Sequence, residues 1–161
     1  MEGPIKMNHT TQKAFQDFYP EEYSHCYGCG KSNPNGHQLK SYWDGDETVA
    51  HFTPKSYHTG GYPDNVYGGI IASLFDCHGT ASAAAAAFRD EVRGMDTLPA
   101  IRFITASLKV DYLKPTPHGV ELEVRGHIVE VKPRKVTVEM TLSANGEVCA
   151  KGHMIAVRLR E

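Results

Sequence analysis

Between Gly69 and Phe88 the chain is apolar and small, and one residue in it bears a formal charge, Asp76. On a helix at 100° per residue, Asp76 falls nearly opposite Leu74 and about 20° from Gly69, seven positions earlier. Ala72, Ser73 and Thr80 share its side. A solvated helix face usually mixes Lys, Glu and Arg, so a single carboxylate among Gly, Ala, Ser and Thr reads as a functional acid rather than a solvated one. Gly68 and Gly69 open the same helix. The first helical amides lack intrahelical acceptors and carry the positive end of the dipole, and glycine lets a ligand oxygen come close to them. Taken alone, the glycine pair is equally explained by tight helix entry. Asn65, Tyr67, Ser73, Thr80 and His58 are the polar groups around this point and are the candidate substrate-binding residues. His78 falls on the core-facing stripe and reads as a packed, hydrogen-bonded histidine.

A second group of reactive side chains lies upstream. Cys26 and Cys29 form a C-x-x-C with His25 beside it and His37 a few residues on, the spacing of half a tetrahedral zinc site. No second C-x-x-C or H-x-x-x-H follows, so four ligands would require His25 or His37 in a cramped arrangement, or another chain. The expectation is packed or loop thiols with no resident metal and no cofactor. Thioredoxin-like redox chemistry fits less well, because the pair does not open a helix after a strand.

The elements that must hold these groups follow from periodicity. Residues 38–43 and 48–53 read as two strands around Asp44-Gly45-Asp46, and 54–67, with Pro54, Gly60, Gly61 and Pro63, as a long irregular loop. A helix spans 69–89, with Ile70, Ile71, Leu74, Cys77, His78, Ala81 and Ala85 on one side. Four strands come next. Ile104, Ala106, Leu108, Val110 and Tyr112 alternate with Thr105, Ser107, Lys109 and Asp111; two further alternating runs cover 120–128 and 136–142. Asn145-Gly146 marks a two-residue hairpin into a last strand, 148–159. Two strands, one long helix and four strands joined by short turns imply an α+β fold, an antiparallel curved sheet wrapped around one central helix.

Composition narrows the classes. The 161 residues make one domain, 25–161, after an N-terminal extension, 1–24, with scattered aromatics able to form a short helix. Seventeen basic against nineteen acidic residues leave a charge of −2, which removes the electrostatic basis for nucleic-acid binding. The first eight residues contain no apolar run, and 69–88 is too polar and alanine-rich for a bilayer, so a cytoplasmic protein without membrane or nucleic-acid partners is expected.

The run Tyr67-Gly68-Gly69-Ile70-Ile71-Ala72-Ser73-Leu74-Phe75-Asp76 resembles the H-G-G-x-x-x-x-x-x-D signature of hotdog-fold acyl-CoA thioesterases of the phenylacetate-pathway type. Residues 105–115 are similar to that family's first strand after the helix, and Cys26-Tyr27-Gly28-Cys29-Gly30 with Asn33-Pro34-x-Gly36 to an N-terminal element of one branch. The similarity covers about residues 26–159. It implies a hotdog fold working as a homodimer or dimer of dimers on an acyl-CoA, with CoA present only as part of the substrate. It further implies that a Gly68 or Gly69 amide polarises the thioester oxygen, that Asp76 of the partner protomer acts as general base or nucleophile, and that the Thr105 hydroxyl places the water or nucleophile. Tyr67 stands where the motif has His, and Gly61 where many members have Asn or Gln. Two other readings stay open: a hotdog hydratase or dehydratase, and a non-catalytic protein that binds acyl-CoA or another small ligand.

Overall fold

The alternating stretches form one six-stranded antiparallel sheet in the computed structural model, which describes residues 12–160. In chain order the elements are β1 (Ser41–Asp44), β2 (Glu47–Phe52), α1 (Gly68–Asp90), β3 (Phe103–Tyr112), β4 (Leu122–Val131), β5 (Lys135–Ala144) and β6 (Glu147–Arg158). Across the sheet they run β1-β2-β4-β5-β6-β3, so β1 and β3 are the edges. The β5–β6 turn is built as its sequence predicts: Asn145 and Gly146 both have positive φ, 52° and 78°, matching the twist of the flanking strands.

The helix packs on β3, β4, β5 and β6. Its Ile70, Ile71, Leu74 and Phe75 are buried against Leu122, Val124, Val136, Val138, Leu142 and Met154. The run Ala83–Ala87 is buried throughout, which lets the sheet come close around a thin helix. The helix is therefore apolar on most sides, as a central element must be. No helix among the described residues is long and apolar enough to cross a membrane.

Before β1 the chain makes two short 3₁₀ turns, Phe15–Phe18 and Glu21–Tyr23, where a short helix was expected within 1–24; residues 1–11 of that stretch lie outside the described residues. Phe15 is buried on Ala81 and Ala85 of α1 and meets Trp43 edge-on at 5.7 Å. Beside it runs a closed polar network. Gln16 pairs with Ser41, whose Oγ lies 2.9 Å from His78 Nδ1; His78 Nε2 is 3.0 Å from Thr48 Oγ1, which meets Ser82 Oγ at 2.7 Å. Burial pushes His78 down to about 4, so it is neutral and structural, as its place on the core stripe predicts.

Strand β3 departs from simple alternation. Its register with β6 pairs Thr105 with Ala156 and then Ser107 with Ile155, leaving Ala106 as the extra residue of a bulge. Phe103 and Thr105 point toward α1 before the bulge, whereas Leu108 and Val110 pack on the core after it. Ile104, placed on the apolar face by strict alternation, is instead 45% exposed. One added residue inverts the facing of everything on one side of it.

Candidate active site

Asp76 sits two turns into α1 and is half-buried. Its Oδ1 accepts a hydrogen bond from Thr105 Oγ1 at 2.5 Å, across the gap between helix and β3. Thr105 thus holds one carboxylate oxygen, and Oδ2 has no protein donor among the described residues.

The helix start is anchored from two sides. The Tyr67 amide donates to His58 O at 3.0 Å, and the Tyr112 hydroxyl donates to Gly68 O at 2.7 Å. The amides of Gly68 and Gly69 donate to no acceptor among the described residues, since the first helical bonds begin at Ile70 and Ile71. Both are partly open to solvent. They form the pair of unused donors expected at a helix N-terminus. Tyr67 is 57% exposed and its ring lies over Gly69.

The other predicted residues occupy more local roles. Ser73 Oγ donates to Ile70 O at 2.7 Å, and Thr80 Oγ1 to the carbonyls of Asp76 and Cys77, so both hydroxyl protons are engaged by the helix itself. His58 is buried, and its Nδ1 accepts the Lys55 amide at 3.0 Å. Its ring packs with His37, Phe52 and Tyr57, and burial lowers its pKa. Asn65 holds the loop through its backbone, accepting from Gly60 and donating to Tyr62. Gly61 is exposed, with open space where a side chain would begin.

Cavities of about 500 and 510 Å³ are lined by Phe15, Trp43, Phe88 and Arg89, and by Lys109, Arg125, His127 and Lys151 on the sheet. Asp76 and the helix start line neither of them.

A family model described as the thioesterase superfamily matches residues 64–151, from the loop before α1 into β6. The chain belongs to the thioesterase superfamily. A thioesterase superfamily protein from Shewanella loihica PV-4 is 52% identical, with a TM-score of 0.67 over 88% of this chain and 100% of the other. The PaaI protein of the E. coli phenylacetic acid degradation operon shares 13% identity at a TM-score of 0.62, covering 77% and 81%. The smu.793 protein of Streptococcus mutans UA159, whose structure holds acetyl CoA, shares 15% at 0.60, covering 76% and 90%. These last two establish the shared hotdog fold. A search of curated proteins finds no match.

Two residues of this thioesterase-superfamily chain escaped sequence reasoning. Tyr112 reads as one more member of the apolar set of its strand, and nothing in its neighbourhood in sequence marks it as reaching Gly68. Cys77 reads only as one more position on the core stripe, yet its sulfur, with those of Cys26 and Cys29, lies in a group whose members are all within 4.8 Å of one another.

Proposed function

We propose that this protein hydrolyses an acyl-CoA thioester, with Asp76 activating water and a helix-start amide polarising the carbonyl. The observation that carries the reading is the Asp76–Thr105 pair: a half-buried carboxylate, oriented through one oxygen, on a face otherwise made of small residues. The free Oδ2 takes a proton from water as the water attacks the thioester carbon. Negative charge passes to the carbonyl oxygen, where the N–H of Gly68 or Gly69 stabilises it. Collapse of the tetrahedral intermediate expels the CoA thiolate and leaves the free acid. Attack by the carboxylate itself, followed by hydrolysis of an anhydride, uses the same residues.

Distance argues for two protomers. At 1.5 Å rise per residue, Gly69 and Asp76 of one helix stand roughly 10 Å apart, too far to serve one carbonyl and its attacking water. A helix start from one chain facing the acid of another resolves this. Edge strand β3, with Ile104 and Tyr112 about half exposed and Leu113 just past its end equally so, supplies a suitable pairing surface. The acetyl CoA held by one fold neighbour supports the ligand class.

Free-thiol release from a panel of acyl-CoAs tests the proposal. Turnover by wild type and its loss in Asp76→Asn are expected; undiminished hydrolysis by that variant sinks the assignment. Ligands that raise the melting temperature without releasing thiol would mark a binding protein instead, the reading favoured by exposed Tyr67 and vacant space at Gly61.

A further inference from the structure

Away from the Asp76 carboxylate, three sulfurs meet where the N-terminal loop crosses α1. Cys26 Sγ and Cys77 Sγ are 3.7 Å apart, and Cys29 Sγ completes a triangle with no edge above 4.8 Å. Cys29 and Cys77 are buried, while Cys26 is partly open. For zinc–sulfur bonds of about 2.3 Å, the edge of a tetrahedron is roughly 3.8 Å. The Cys26–Cys77 separation is already that edge, and well beyond the ~2.05 Å of a disulfide.

The backbone is shaped for this approach. The Gly28 amide points at Cys26 Sγ, 3.4 Å away, and the Gly30 amide closes the turn on Cys26 O at 2.8 Å. A side chain at Gly28 would overlap the Cys77 sulfur, and one at Gly30 would strike the backbone of Ser24 and Cys26. Both glycines are therefore required by close approach. Bonds from His37 N to Tyr27 O and from Leu39 N to Gly28 O fasten the turn to the chain leading into β1. Three sulfurs converging at this spacing, two of them buried, make a good acceptor for a soft or borderline divalent cation.

We propose that Cys26, Cys29 and Cys77 form a tri-thiolate site for a zinc-class divalent cation, with water in the fourth position. No fourth ligand atom joins the group among the described residues, and the partial exposure of Cys26 leaves that position accessible. Binding releases the thiol protons to solvent and gives a site of net charge −1. The metal ties the N-terminal loop to the helix turn that also carries Asp76. This inference stands whether or not the acyl-CoA reading holds.

The test uses the full chain, reduced under anaerobic conditions, with Zn(II) and Co(II) as probes. One Zn per chain by elemental analysis is expected. Co(II) gives a thiolate charge-transfer band and the intense d–d bands of tetrahedral cobalt, and Zn(II) raises the melting temperature. Cys77→Ser and Cys26→Ser, each checked for native circular dichroism, lose the cobalt bands and the zinc-dependent shift. Cys149→Ser, whose buried thiol lies outside the triad and donates to Glu147 O, retains both. Less than a tenth of a zinc per chain after reconstitution, thiolate–cobalt bands undiminished in the folded Cys77→Ser variant, or a disulfide within the triad that re-forms in place of metal binding would overturn the proposal.

Discussion

Thr105 Oγ1 donates to Asp76 Oδ1 at 2.5 Å, and the bond exists because Ala106 bulges out of β3. Leu108 and Val110 must face the core, and in a regular strand that would turn Thr105 away from α1. The bulge reverses the facing between them. A backbone irregularity beside a functional side chain is a frequent way for a sheet to re-aim a residue.

Asp76→Asn keeps the shape of the side chain and removes its basicity. Acyl-CoA hydrolysis is expected to fall roughly a hundred- to ten-thousandfold in kcat, with KM little changed. A variant within threefold of wild type would remove Asp76 from the mechanism.

Thr105→Val deletes the hydroxyl that orients the acid. A hydrogen bond to a charged group contributes about 1.5–3 kcal/mol, so kcat should drop roughly ten- to a hundredfold. Thr105→Ser should restore most of it, because the hydroxyl and not the methyl carries the effect. Equal loss in both variants would assign Thr105 a packing role.

Gly68→Pro separates the helix-start amide from the helix. Proline is well accepted at the first helical position, and Tyr67 already has φ −57° and ψ 128°, compatible with a following proline. Loss of turnover with unchanged stability would make the Gly68 N–H the oxyanion donor; full activity would transfer that role to Gly69. If Gly68→Pro is inactive, mixing it with Asp76→Asn tests the two-protomer site. Random exchange should recover about a quarter of wild-type activity, since half the dimers are mixed and each carries one intact site. No recovery after demonstrated exchange of subunits would place the whole site in one chain.

His78 sets a pH dependence of stability. Its folded pKa of about 4 lies below the ~6.5 of the unfolded chain. Between those values the unfolded state binds a proton that the folded state refuses, so stability is lost as pH falls from 6.5 toward 4, by at most about 1.4 kcal/mol per pH unit. Burial moves His37 and His58 in the same direction. Urea unfolding across this range should show the decline, and His78→Gln should flatten it while lowering stability at neutral pH. A wild-type protein whose stability holds constant from pH 7 to 4 would contradict the burial argument.

Much of the fold is legible in local sequence. A central apolar helix, four alternating strands and Asn145-Gly146 are local signals, because side-chain periodicity follows directly from helix and strand geometry. The solitary charge at Asp76 and the Gly68-Gly69 pair belong to the same class: their significance lies in residue type and spacing along one helix. The ends of strands shifted by one to three residues, and the N-terminal aromatics formed 3₁₀ turns instead of a helix, because packing of Phe15 on α1 sets their shape.

What the sequence by itself determined is which residues share a face of one element, and hence the acid, the glycine amides and the order of helix and strands. Tertiary structure alone decided which elements meet, and with what register. Nothing local distinguishes Ala106 as the residue that bulges: strict alternation groups Thr105 with Lys109 and Asp111, and only its pairing with β6 turns it toward α1. Likewise Cys77 lies 48 residues from Cys29, and only the crossing of the loop over α1 brings their sulfurs together. Contacts between distant segments depend on the packing of the whole core, which no window of sequence contains.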